Sequence, residues 1–283
     1  MWIAMLAFTT YSEAGGVGKS TLAANLAVAD AREGRDVLVI DLDPQEASLS
    51  YLLDVDDDRD DSSADSLVRH LVERPRGEFD DLIRTSEGVD VLPAHNSLEM
   101  LAKHLQRREE EASDFGENWN RNVQLLRVLR ENDVHERYDT LIIDPPATAD
   151  VKLYNAIHAT RSLVVPFEPS GKGFKSVDGL EDLVPGLEEN LDINVGVLGI
   201  VPNNFSGTND QQDMLGEIES KGYDIPVVLN ERGSLFEGCW RQQCSAFRYV
   251  EEHRSREREY ERETLEKLTE LARELRQTVE APA

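Results

Sequence analysis

The chain has 283 residues, enough to bury a full α/β core in one domain, with 40% hydrophobic and 30% charged residues. Its 56 acidic against 30 basic residues give a formal net charge of −26, which opposes attraction to nucleic acid or anionic membranes through bulk charge. Two cysteines build no disulfide framework, no secretory leader precedes the first apolar run, and no apolar run is long enough to span a bilayer, so a cytoplasmic protein without membrane contact is expected.

Lysine stands only at positions 19, 103, 152, 172, 175, 221 and 267. Abundant acid with scarce lysine resembles the composition of halophile proteins from a salt-filled cytoplasm, where a Debye length of about 3 Å at 1 M salt screens self-repulsion.

In chain order, the apolar residues 3–8 predict a buried strand, and Leu22, Leu26 and Ala29 mark a helix over 22–29. Between them lies Gly15-Gly16-Val17-Gly18-Lys19-Ser20-Thr21. Strand, glycine turn, Lys-Ser and helix form the context that a phosphate-binding loop requires. The glycines let backbone N–H groups converge on an anion, and the helix N-terminus adds its positive end. Gly15, Gly16, Val17, Gly18, Lys19, Ser20 and Thr21 are therefore expected to bind a nucleotide. Lys19 would reach the terminal phosphates, and the Ser20 hydroxyl would ligate Mg²⁺.

Residues 36–45 form a second apolar run that ends in Asp41 and Asp43, as a parallel strand covered on both faces would. Ligands of such sheets bind at the strand C-termini. Asp43 is expected to position the attacking water, and Asp41 to support the water shell of the metal. The aspartate-rich residues 54–66 predict an exposed, solvated loop. Residues 66–84 predict short helices, 88–93 a short strand, and 98–111 and 120–137 helices.

Residues 138–146 predict a strand ending in Asp144, which has the form of a Walker-B acid and would hold a water on Mg²⁺. Pro145-Pro146 fixes a rigid exit from it. Strands at 162–167, 194–201 and 225–229, with helices at 175–190 and 209–221, complete an α/β fold. It is a doubly wound, mostly parallel sheet flanked by helices. Residues 254–279 predict a charged C-terminal helix with the apolar stripe Leu265, Leu268, Leu271, Ala272 and Leu275. The end of the chain, 279–283, has neither the basic face nor the bulky apolar tip of a membrane-targeting helix. A single P-loop domain is expected over 1–283, with its core at about 3–230 and a C-terminal helical segment at about 233–280.

Gly15 through Thr21, Asp41-Leu42-Asp43-Pro44-Gln45 and Tyr138 through Pro146 together resemble the ParA/Soj branch of the ParA/MinD-type deviant P-loop ATPases. The resemblance implies ATP and Mg²⁺ as cofactors, slow partner-stimulated hydrolysis, and a homodimer that forms on ATP binding and parts on hydrolysis. It implies nonspecific DNA binding, hence nucleoid association, and a ParB-like centromere-binding partner in plasmid or chromosome partition. By the same resemblance Pro202 and Asn203 are adenine contacts. The sequence departs from the pattern in the loop and after the third strand. The family's leading loop lysine is replaced by Ala14, the first glycine of the standard P-loop falls on Glu13, and Asp144 abuts Pro145 with no residue between.

Lys172 or Lys175, in a glycine-flanked turn, is a candidate for the missing charge; the alternative is a pair of surface lysines on a flexible turn. Arg232, Arg241, Arg248, Arg254, Arg256 and Arg258 are candidates for DNA contact, although Arg256 and Arg258 alternate with Glu257 and Glu259 as on a solvated helix face. Other readings of the same motifs are a MinD-like or other spatial-positioning ATPase for a protein cluster, a metal-cluster carrier ATPase using Cys239 and Cys244, and a nucleotide-binding scaffold with negligible turnover. Buried structural cysteines are the plainer account of Cys239 and Cys244.

Overall fold

The computed structural model describes residues 5–256 and 258–280. Positions 3 and 4 of the first predicted run, Glu257, and residues 281–283 of the predicted tail lie outside them. Seven strands form one sheet: β1 (Leu6–Thr10), β2 (Val37–Asp41), β3 (Arg84–Ser86), β4 (Val89–Leu92), β5 (Thr140–Asp144), β6 (Ser162–Phe167) and β7 (Gly196–Pro202), in the order β3-β4-β2-β5-β1-β6-β7. All neighbours are parallel except β3, which runs antiparallel to β4 at the edge.

Strands β1, β2 and β5 are buried at every position, because helices cover both faces of the sheet. Phe8, Val39 and Ile142 pack into one cluster with the helix Lys19–Arg32 and the C-terminal helices. Ala7, Leu38, Ile40 and Leu141 alternate to the other face, against the helices Leu101–Asp114, Gln124–Glu131 and Val151–Thr160.

The helix Lys19–Arg32 is buried from Leu22 through Asp30, more completely than its apolar spacing predicts. The helix Glu259–Glu280 lies along its outer side, with Leu268, Leu271, Ala272 and Leu275 buried as the stripe requires. Arg276 Nη2 donates to Asp30 Oδ2 and to Thr140 Oγ1, both at 2.6 Å, in a site where both charges are nearly inaccessible. Arg273 adds a bidentate pair with Glu33. Removing one partner of a buried ion pair leaves the other charge uncompensated, so Arg276→Ala is expected to lower unfolding free energy by about 3 kcal/mol or more. Urea denaturation checks this, and a change under about 1 kcal/mol would show the pair to be peripheral.

Several local expectations change. Residues 225–229 do not form a strand. Pro226 has no N–H to give a ladder, and its ring fills the space over Gly199 on β7. The segment still runs beside β7, where Ile200 N donates to Asp224 O and Leu229 N to Pro202 O. The helix expected at 120–137 divides into Gln124–Glu131 and Val134–Arg137 at Asp133, whose φ is +50°. The turn expected at Ser170–Lys175 is the helix Gly171–Asp178, capped by Ser170 accepting from Gly173 N, and it precedes the helix Leu180–Leu191. Strand β3 was not anticipated, since Arg84-Thr85-Ser86 carries no apolar run.

Candidate functional site

β1 ends at Thr10, and the loop turns into the helix through Gly16 and Gly18, at φ +80° and +89°. Glycine occupies this left-handed region without a steric cost, which explains these residues in the loop. At Gly18 a second constraint applies, because a Cβ would lie 2.6 Å from Asn203 Nδ2. No side chain caps the helix Lys19–Arg32. Its N-terminus therefore presents backbone donors and the positive end of the dipole to an anion. Lys19, Ser20 and Thr21 are half-buried at this mouth, while Glu13 is exposed.

Asp41 on β2 and Asp144 on β5 are register partners at adjacent strand ends, and both are fully buried. Asp41 Oδ1 accepts from Asp43 N at 2.9 Å, while Oδ2 accepts from Ser50 N at 2.8 Å and Ser50 Oγ at 2.6 Å. Burial raises its pKa against these bonds. Both oxygens thus hold the backbone and helix start that follow β2. Asp43 itself is half-buried, and its Oδ1 accepts from Gln45 N at 3.0 Å.

Asp144 Oδ1 accepts from Thr10 Oγ1 at 2.6 Å, but its Oδ2 is buried with no hydrogen-bond partner. Burial, and then the charge of Asp41, push the carboxyl up to about 7, against the opposing effects of Ser20, Thr10 and Lys19. A buried carboxylate oxygen without a partner, beside a serine hydroxyl at an uncapped helix N-terminus, is a donor set that would suit a hydrated Mg²⁺. Ser20 and Asp144 are the residues that would hold it. The loop glycines, Lys19 and the helix end fit the phosphates themselves.

Distant parts of the chain brace this loop. Asn203, with Pro202 at the end of β7, donates through Nδ2 to Val17 O at 2.9 Å. Trp240 Nε1 donates to Thr21 Oγ1 at 3.0 Å, and its indole stacks on Tyr51 with ring centroids 6.3 Å apart. Asn25 joins Thr21 O to Ala246 N. Of these, Pro202 and Asn203 are marked by the sequence, as base contacts. Trp240 and Thr10 have no local motif that points to the loop.

A family model described as an AAA domain matches residues 5–194, two thirds of the chain. The chain belongs to this family, as a ParA/MinD-like P-loop ATPase. It is 30% identical to an uncharacterized protein of Methanocaldococcus jannaschii, over 79% of this chain and 83% of that one. It is 29% identical to the chromosome-partitioning ATPase Soj of Thermus thermophilus, over 69% of this chain and 68% of that one. The solved structure of apo McdA from Cyanothece has the same fold, with TM-score 0.72 at 22% identity over 96% of this chain and 99% of that one.

In this ATPase the C-terminal arginines are mostly engaged within the fold. Arg254 pairs with Glu261 at 2.6 Å and lies over the Tyr249 ring, Arg232 lies over Tyr260, Arg248 pairs with Glu252, and Arg258 donates to Tyr260 Oη. Arg241, Arg248, Arg256 and Arg258 are exposed. Lys175 is exposed on the helix Gly171–Asp178, and the side chain of Lys172 lies outside the described residues. Cys239 and Cys244 are buried in the apolar cluster that holds Leu235, Phe247 and Tyr249. Burial raises both thiols, Cys244 to about 11, as for cysteines packed in an apolar core. Among the described residues no helix is long and apolar enough to cross a membrane.

Proposed function

We propose that this ATPase is a partition-type switch, which pairs with a second copy when ATP and Mg²⁺ are bound and separates on hydrolysis. The observation that carries the reading is the orphaned Asp144 Oδ2 facing the Lys19–Ser20 end of an uncapped helix. Bound Mg²⁺ would offset the charge of the β- and γ-phosphates. Lys19 binds the terminal phosphates, Ser20 and Asp144 hold the metal and its water, and Asp43 orients the attacking water. Asp41, with both oxygens engaged by the segment that carries Asp43, acts through that residue.

The cargo side of the reading rests on likeness to the chromosome-partitioning ATPase Soj. It takes nonspecific DNA as the surface for the ATP dimer and a ParB-like protein as the stimulating partner. Arg241 and Arg256 are exposed cations of the arginine-rich region that enter none of the ion pairs and ring contacts above, and are the candidates for this surface. The engagement of four other arginines within the fold favours, as a second reading, the positioning of a protein cluster instead of DNA.

Sedimentation and ATP turnover in molar KCl, with and without plasmid-length DNA, test both. The wild type is expected to be monomeric without nucleotide and dimeric with ATP. Asp43→Ala is expected to dimerise with ATP while turnover falls by about 100-fold or more, as for loss of a residue that positions or activates water. A monomeric Asp43→Ala in saturating ATP would overturn the dimer switch. No ATP-dependent shift of DNA would move the cargo to the protein-cluster reading, and a wild type without turnover would leave a scaffold.

A further inference from the structure

The aspartate-rich segment 54–66 contains one basic residue, Arg59, and it is buried, with 6% of its surface exposed. Nη1 donates to Ser48 Oγ at 3.1 Å, and Nη2 donates to the carbonyls of Asp43, at 3.4 Å, and Gln45. These acceptors are all neutral, and Nε is buried without a hydrogen-bond partner. Burying a guanidinium against neutral oxygens is expensive unless its surroundings offset the charge. Here Arg59 forms part of the wall of a cavity of about 230 Å³ that Asp56, Asp58, Asp65 and Asp81 also line. Asp54, Asp57, Asp58, Asp60 and Asp61 are exposed, as in a solvated loop, while Arg59 among them turns inward.

The backbone under Arg59 is tied on both sides. Arg59 N donates to Asp56 O, and Asn96 N, beyond β4, donates to Arg59 O, each at 3.1 Å. From this platform the guanidinium reaches the segment between β2 and the short helix Leu49–Leu52. Asp41 holds the N–H groups of Asp43 and Ser50 from the sheet side, and Arg59 holds the carbonyls of Asp43 and Gln45 from the opposite chain segment. Gln45, Glu46 and Ala47 are otherwise exposed. Exposed connections of this kind open at low free energy unless something ties their backbone down.

We infer that Arg59 is a positioning residue for hydrolysis, which completes with Asp41 a two-sided clamp on the backbone that carries Asp43. The inference rests on the ATPase reading of the site and adds a residue to it. Misplacing a reacting group by about 1 Å can cost 100-fold in rate, so the clamp matters even though Arg59 touches no phosphate.

The test compares Arg59→Ala and Arg59→Lys with the wild type. Arg59→Ala is expected to lower kcat by about tenfold or more while KM for ATP and the Kd of ADP stay within about twofold. Amide hydrogen exchange at residues 43–50 should quicken in the same variant. Arg59→Lys keeps the charge but has a single nitrogen in place of the planar fork, so it should also lose kcat. In an Asp43→Ala background the added Arg59→Ala change should leave the residual rate unaltered. A merely structural role would instead weaken ADP binding and lower the rate further in that background, and would overturn the inference. Unchanged exchange at 43–50 in both variants overturns it as well. If the wild type does not turn over ATP, the hydrolysis reading fails; quickened exchange would still uphold the clamp, and unchanged exchange would remove it.

Discussion

Lys19→Ala is expected to weaken nucleotide binding by about 1,000-fold and to remove measurable turnover at millimolar ATP. Lys19 is the one cation in the loop, since Ala14 stands where related loops carry a second lysine. A unit charge about 4 Å from a phosphate oxygen contributes about 4 kcal/mol at the effective dielectric of a protein surface, or roughly 1,000-fold in affinity. Lys19 also opposes the raised pKa of Asp144, so the nucleotide-free variant loses a little stability as well. Calorimetric titration with ADP and with ATP reads the affinity, and circular dichroism reads the fold. An affinity within about threefold of wild type would mean that the backbone donors and helix end bind the phosphates without the lysine.

The parts of this site that were legible in the sequence are those that one segment specifies alone. Gly16 and Gly18 are required by their left-handed backbone, and the helix behind them is legible because its apolar residues follow the helical spacing. Asp41 and Asp144 were legible as acids closing apolar runs, and the sheet then makes them neighbours. Their division of labour was not. Whether a buried carboxylate holds backbone or faces a ligand depends on which donors surround it, and Ser50 and Thr10 are 9 and 134 residues from the acids they meet. The same distance hid Trp240, which reaches Thr21 from 219 residues away.

The exposed loop that the aspartates at 54–66 predict is present, but composition does not show that Arg59 among them is buried and bonded to the segment after β2. Nor does composition show that Arg248, Arg254 and Arg258 meet acids or rings a few residues distant, or that Arg232 lies over Tyr260. Pro226 hid in a run that reads as strand, because periodicity does not register a missing donor.

Asp144→Asn is expected to stabilise the metal-free protein while abolishing its Mg²⁺-dependent turnover. In the folded chain this carboxylate is fully buried, has one oxygen without a partner, and faces the register-paired Asp41. Burial first, and then the charge of Asp41, disfavour its charge and push it up to about 7. An asparagine has the same shape, still accepts from Thr10 through its amide oxygen, and places no second charge beside Asp41. Removing the repulsion and the desolvated charge should raise the unfolding free energy by about 2 kcal/mol. Turnover should fall by about 100-fold or more, as a neutral amide is a poor holder of the metal's water. Magnesium with ADP should raise the melting temperature of the wild type more than that of the variant, because only the wild type has a carboxylate whose burial the cation compensates. A variant that is less stable than wild type without metal would place Asp144 among the structural acids, like Asp41. One that is more stable and still turns over ATP would move the metal site elsewhere. The expected pair of results, higher stability with lost turnover, would show that the stability lost to this acid and the activity gained from it have the same source, as strain held at a functional site requires.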